Sequence, residues 1–178
     1  MTDGRLKIGV VAPGTRIEPA LAEKVKETAA AGFPDRAPEI HFHPQCFLSA
    51  GHFAGDDAAR AQAFAEIAND DSFGALWFAR GGYGACRLID RLLPQLTDAA
   101  REKTYLGYSD AGSILAALYG RGFTRLAHGP MPADFSRNGG EAAVTRSLSY
   151  LVDGADAALE PTVSPSTRTA AFNITILS

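Results

Sequence analysis

One feature constrains this chain more than any other: short apolar runs give way to stretches of helical spacing about five times between Lys7 and Val152. Lys7–Ala12 (KIGVVA) reads as a buried strand ended by Pro13-Gly14. Pro19–Ala31 then places Leu21, Val25 and Thr28/Ala29 on one helical face, with Gly32 as a stop signal. Glu39–His43 is a short strand with Ile40 and Phe42 facing one way. Asp56 or Asp57 caps a helix through about Ala68 whose Ala61, Phe64, Ile67 and Ala68 point inward. Phe73–Ala79 (FGALWFA) is apolar throughout, which suits a central strand covered on both faces. Ala85–Leu93 carries a stripe of Leu88, Ile89 and Leu92 before Pro94. Strands at Lys103–Tyr108 and Thr124–His128 flank a helix near Gly112–Tyr119. A last helix, about Glu141–Val152, aligns Val144, Leu148 and Leu151 and ends near Gly154. Repeated strand–helix units of this kind predict an α/β fold: a doubly wound, mostly parallel sheet with helices on both faces. Ligands of such sheets collect at the C-terminal ends of the strands, so the chemistry is expected at the βα turns.

Composition narrows the function. Seventeen basic against twenty acidic residues leave a net charge of -3, which removes the electrostatic reason to expect nucleic acid as a partner. No apolar run approaches the ~18 residues that span a bilayer, and no basic segment followed by an apolar stretch opens the chain. Membrane attachment is therefore not expected. Cys46 and Cys86 are too few for a disulfide framework and lack zinc-site spacing. These features describe a cytoplasmic protein that handles small molecules. Pro161–Thr169 (PTVSPSTRT) reads as a linker into the apolar Ala170–Leu177. Either the chain has been cut inside a larger protein, or this segment is a final strand of the same sheet.

Two turns stand out. Tyr105-Leu-Gly-Tyr-Ser109-Asp-Ala-Gly112 runs from an apolar strand through a tight turn into a helix. A serine there sits above the sheet rim beside free backbone N–H groups, which suits a nucleophile whose intermediate carries a negative oxygen. The alternative is that Ser109 and Asp110 simply cap the following helix. Arg80-Gly-Gly-Tyr-Gly84 follows the most apolar strand, and its glycines allow close approach of a ligand to backbone N–H groups. It is neither G-x-G-x-x-G nor a Walker loop, so it gives little support to nucleotide binding. Both turns end strands of one sheet and can border one crevice. Arg80 can bind a substrate carboxylate through its fork of donors, or pair with a nearby acid. His41 and His43 alternate on a strand without a third metal ligand nearby, and read as a polar face. His128 closes a strand and is expected to be structural, with general base as its alternative. Cys86 reads as a helix-packing residue or, less simply, as a thiolate at a helix start.

With these turns identified, the chain resembles the LD-carboxypeptidase (muramoyl-tetrapeptide carboxypeptidase) family of serine peptidases. The resemblance rests on Val10-Val-Ala-Pro-Gly14, Phe53-Ala-Gly-Asp-Asp-Ala-Ala-Arg60, Ala79-Arg-Gly-Gly-Tyr-Gly84 with Arg87-Leu-Ile, Gly107-Tyr-Ser-Asp110 and His128-Gly-Pro-Met131, in that order. The closing Phe172-Asn-Ile-Thr-Ile-Leu177 resembles the family's approach to its second domain. The resemblance implies a cytoplasmic enzyme that cuts the L,D bond before the terminal D-alanine of murein tetrapeptide during cell-wall recycling. It implies no metal or organic cofactor and a homodimer. By motif position Ser109 corresponds to the nucleophile, and the backbone N–H groups of Asp110 and Gly82 to the oxyanion hole. Arg80, Gly81 and Tyr83 are the residues expected to touch substrate. The family completes its triad with a glutamate and a histidine on a C-terminal domain, and no position here matches them. Residues 1–157 are accordingly expected to form a nucleophile-bearing domain, and 158–178 a linker and the start of a further domain. This chain alone is expected to be inactive or nearly so. Two other functions fit the same turns: the family's self-immunity branch, which hydrolyses a peptide–nucleotide antibiotic, and a non-catalytic domain holding an anionic ligand.

Overall fold

The computed structural model of the chain describes residues 5–154 and 156–162, so the Ser/Thr/Pro stretch from residue 163 on and the apolar Ala170–Leu177 lie outside the described residues. Among these residues five parallel strands form one sheet: β1 (Lys7–Val11), β2 (Glu39–Phe42), β3 (Ala75–Phe78), β4 (Thr104–Gly107) and β5 (Leu126–His128), in spatial order β2-β1-β3-β4-β5. Their apolar runs face cores on both sides, and β3, the middle strand, is buried at all four positions. Register sets Val10 beside Phe42 and Trp77, and Gly107 beside His128, so the βα turns emerge together at one edge.

Among the described residues five α-helices cover the sheet: α1 (Pro19–Gly32), α2 (Asp57–Asn69), α3 (Ile89–Leu92), α4 (Gly112–Gly120) and α5 (Gly140–Asp153). One core gathers Trp77, Val10 and Leu106 with Val25 of α1 and Leu148 of α5. The other gathers Leu76, Phe78 and Tyr105 with Phe64 of α2, Leu92 of α3 and Ile114 of α4. Helix signals in the sequence act as expected: Pro19 opens α1, the Asp56 carboxylate accepts the Ala59 N–H at 2.8 Å, and left-handed Gly154 closes α5.

The expected helix over Ala85–Leu93 departs from this pattern. It breaks into a 3₁₀ turn (Cys86–Leu88), the single-turn α3 and a second 3₁₀ turn (Leu93–Gln95). Pro94 lacks the N–H needed to continue a helix, and this short connection returns the chain beneath α2. The expected strand Thr124–His128 shrinks to three paired residues at the sheet edge. Strand order reverses between β1 and β3, since the chain leaves β1 toward β2 on one side and later builds outward on the other. That reversal opens a crevice beyond the strand ends, where such sheets bind ligands.

Candidate active site

Beyond β4, Tyr108 is extended and Ser109 turns to φ 59°, the one non-glycine residue with positive φ among the described residues. A left-handed residue with a Cβ costs about 1–2 kcal/mol, and it persists where the surroundings impose it. A 3₁₀ turn (Ser109–Ala111) then leads into α4 at Gly112. The serine is half-buried, and its hydroxyl has no hydrogen-bond partner among the described residues.

The hydroxyl faces the bend after β3. A Cβ added to Gly81 would lie 2.8 Å from Ser109 Oγ and 2.9 Å from its Cβ, so only glycine permits this approach. Gly82, at φ 127°, backs onto the first βα turn, where an added Cβ would lie 2.2 Å from Thr15 Oγ1. Thr15 N–H in turn reaches the Gly81 carbonyl at 3.4 Å. Three turns from three strands thus meet. Between them opens a cavity of about 460 Å³, walled by Arg16 and Ile17, Arg80 to Gly82, Tyr108 and Ser109, and Met131, Asp134 and Arg137. The structure therefore brings the two glycine- and serine-bearing turns to one site.

Asp110 is not the helix cap that its position allows. It is 2% exposed, and its Oδ2 accepts the Ala85 N–H at 3.0 Å, tying the serine turn to the end of the Arg80–Gly84 bend. Burial pushes its carboxyl above the usual range, opposed by that hydrogen bond and by the charge of Arg60. Ser109 caps no helix amide either.

On the far wall a polar cluster appears that the sequence did not announce. Tyr108 donates its O–H to Asp134 Oδ1 at 2.7 Å, and Arg137 donates to the Tyr108 oxygen at 2.7 Å while pairing with Asp134 at 3.0 Å. The other Asp134 oxygen accepts the Met131 N–H at 2.8 Å. Burial, then the neighbouring carboxylate, raise the Tyr108 phenol above its ordinary value. Tyr108 and Met131 stand inside recognisable motifs, but Asp134 and Arg137 lie on and after a 3₁₀ turn (Pro132–Ser136) with no periodic signal.

The other candidate residues separate clearly. Arg80 is exposed, lines the cavity and has no ion-pair or hydrogen-bond partner among the described residues, whereas Arg16 pairs with Glu18 at 3.0 Å. Tyr83 is 68% exposed and does not line the cavity. His128 packs its ring 5.8 Å from that of Tyr108 and opens on a neighbouring depression with Pro130 and Arg146. Cys86 is exposed, so the helix-packing expectation fails there. His43 accepts the Gln45 N–H on Nδ1 and faces Glu66 from Nε2 at 3.0 Å, as a polar face would. Among the described residues no cluster of three or more His, Cys, Asp or Glu could hold a metal ion.

A strained serine at a strand–helix turn, facing a glycine bend at the rim of a doubly wound sheet, defines an α/β domain of serine-hydrolase build. The family model described as the LD-carboxypeptidase N-terminal domain matches residues 8–129, and the chain belongs to that family of serine peptidases. A provisionally named carboxypeptidase of Streptomyces coelicolor is 39% identical over 89 residues, 49% of this chain and 29% of that protein. Another from Rickettsia conorii is 28% identical over 131 residues, 72% of this chain and 39% of that protein. The chain thus spans well under half the length of these relatives. Among solved structures, the MccF-like protein of Bacillus anthracis superposes with a TM-score of 0.64 at 21% identity, covering 83% of this chain and 45% of that one. The muramoyltetrapeptide carboxypeptidase of Oxalobacter formigenes superposes at 0.56 with 24% identity, covering 73% and 42%. At these identities the structures speak to the fold alone.

Proposed function

We propose that Ser109 is the nucleophile of a serine carboxypeptidase that releases the terminal D-alanine from murein tetrapeptide in the cytoplasm during cell-wall recycling. The observation behind this reading is the left-handed Ser109, its free hydroxyl packed on Gly81 and opening into the cavity. In the reaction, Ser109 Oγ attacks the carbonyl of the L,D bond, and its proton passes to a base. Negative charge gathers on the carbonyl oxygen, where the backbone N–H groups of Asp110 and Gly82 receive it. Collapse expels D-alanine as the protonated amine, and water then hydrolyses the acyl-enzyme. Arg80 and Gly81 contact substrate, and Tyr83 reaches it from the outer lip of the bend. No histidine or carboxylate among the described residues hydrogen-bonds Ser109. We assign the base and its orienting acid to a histidine and a glutamate on a second domain, with residues 1–157 as the nucleophile domain, 158–178 as the connection, and a homodimer as the working form. A lone serine hydroxyl is a weak nucleophile, so this chain by itself should be inactive.

A second reading is hydrolysis of a peptide–nucleotide antibiotic in self-immunity. It draws on the likeness to MccF solved with glutamyl sulfamoyl guanosine, at a TM-score of 0.63 and 19% identity. The two are separated by incubating the full-length gene product with murein tetrapeptide or with an aminoacyl sulfamoyl nucleoside and following products by mass spectrometry. D-Alanine release that Ser109→Ala abolishes supports the first reading. Nucleoside release alone favours the second. Absence of both, with no fluorophosphonate labelling of Ser109, would leave a non-catalytic anion-binding domain.

A further inference from the structure

Arg60 sits on α2 with only 1% of its surface exposed, among alanines and Phe64 that face the core. Burying a guanidinium is costly unless its donors are met, and an apolar side chain would fill the same space without that cost. Its two terminal nitrogens are met, mostly from outside its own helix, while its Nε has no hydrogen-bond partner among the described residues. Nη1 donates to the Pro13 carbonyl at the start of the turn after β1, and to the Gly84 carbonyl at 3.1 Å. Nη2 pairs with Asp57, which also holds Arg87 at 2.8 Å. The guanidinium lies over the Phe53 ring, 4.6 Å from its centroid.

The two carbonyls belong to turns that follow different strands. One residue past Gly84, the Ala85 N–H is taken by Asp110, the neighbour of Ser109. The single peptide unit between Gly84 and Ala85, at the end of the glycine bend, is therefore gripped from opposite sides, by Arg60 at its carbonyl and by Asp110 at its amide. We infer that Arg60 is a positioning residue: it locks the 80–85 bend between the first βα turn and Ser109, so that Gly81 packs on the hydroxyl and the Gly82 N–H faces the developing oxyanion. A planar fork suits this task because it reaches two carbonyls and a carboxylate at once, which an ammonium cannot.

The inference rests on the reading of this site as an acyl-transfer centre, and the test separates the two. In the full-length protein, Arg60→Met should lower kcat on murein tetrapeptide by about 100-fold, the scale of a misplaced catalytic group, with KM changed less than about threefold. Affinity for a tetrahedral phosphonate analogue of the scissile bond should fall in step with kcat, because a donor aimed at the oxyanion acts in the transition state. Amide hydrogen exchange should quicken at residues 81–85 while β3 and β4 keep their protection. Arg60→Lys, which keeps the charge and is the variant to use should the methionine protein not fold, should fall between the two. Wild-type kcat and analogue affinity in a folded Arg60 variant would overturn the inference, as would unchanged exchange at the bend. If Ser109→Ala cleaves tetrapeptide as fast as its parent, the acyl-transfer reading fails instead, and the exchange measurement still decides whether Arg60 orders the bend.

Discussion

Ser109 should limit the stability of the domain that carries it. Its φ of 59° is a conformation that costs a residue with a Cβ about 1–2 kcal/mol and costs glycine nothing. Against that relief, glycine brings a more flexible unfolded chain, at about 0.5–1 kcal/mol. Ser109→Gly should therefore stabilise the chain by a net ~0.5–1 kcal/mol. Ser109→Ala keeps the strained backbone and removes a hydroxyl without a partner, so it should be close to neutral. The informative quantity is the difference between the two variants, since both lack the hydroxyl and they differ in backbone freedom and in one half-buried methyl group. For a protein of this size ~1 kcal/mol corresponds to roughly 2–4 °C in Tm. Urea titration should show the same order as a shift in midpoint at constant slope. A glycine variant no more stable than the alanine variant would refute the claim that the serine turn stores strain, and with it the argument that this position was shaped by something other than folding.

Three further outcomes follow from contacts around the same cavity. Gly81→Ala forces a methyl against Ser109 Oγ at 2.8 Å; it should destabilise by ~1–3 kcal/mol and slow fluorophosphonate labelling of Ser109, and labelling at the parent rate would show that the turn yields freely. Asp110 has its carboxyl raised by burial, so its contribution favours the folded state at low pH and is lost as pH rises through the folded value. Asp110→Asn, which can still accept the Ala85 N–H, should then be the more stable protein near pH 7, with a lead that shrinks on acidification; a lead independent of pH would contradict the assignment. Arg80, a guanidinium of the cavity with no partner among the described residues, should read the terminal carboxylate. Arg80→Met should lower kcat/KM about tenfold, or ~1.4 kcal/mol, on the free tetrapeptide and leave its C-terminal amide unaffected, and equal losses on both would remove Arg80 from recognition.

The sheet was legible because its strands are short and continuously apolar. A run such as Ala75–Phe78, buried on both faces, has few other places to go. Caps and stops were legible for a similarly local reason, since Asp56 and Gly154 act on backbone within one helical turn of themselves. Ser109 and the glycine bend could be singled out because turn chemistry is written in adjacent residues. What escaped was non-local. Asp134 meets Tyr108 across 26 positions, and Arg60 meets Pro13 across 47, distances at which periodicity carries no information. Arg60 was further hidden by type: an arginine on an amphipathic helix reads as solvent-facing, and only the fold reveals the carbonyls that make burial tolerable. The break-up of the 85–93 helix is not legible in the sequence because the apolar stripe of Leu88, Ile89 and Leu92 serves a 3₁₀ turn nearly as well as an α-helix.

Strain and rigidity at this site imply each other. A left-handed serine relaxes toward ordinary backbone unless its neighbours hold it, and the neighbours here are themselves loops, the parts of a fold least able to resist. Three devices change that. Gly81 leaves no gap behind the hydroxyl, Asp110 ties the residue after the serine to the end of the opposing bend, and Arg60 ties that bend to the first turn. Two of the three bury a charged side chain at the rim of an otherwise apolar core, an arrangement that folding alone does not favour. Apolar substitutes would give a comparable core with a slack bend. The polar clamps are thus better explained by the need to keep three backbone turns in register around one oxygen atom than by stability, and this is why the loss of either clamp should register in kcat and in bend exchange more strongly than in substrate binding.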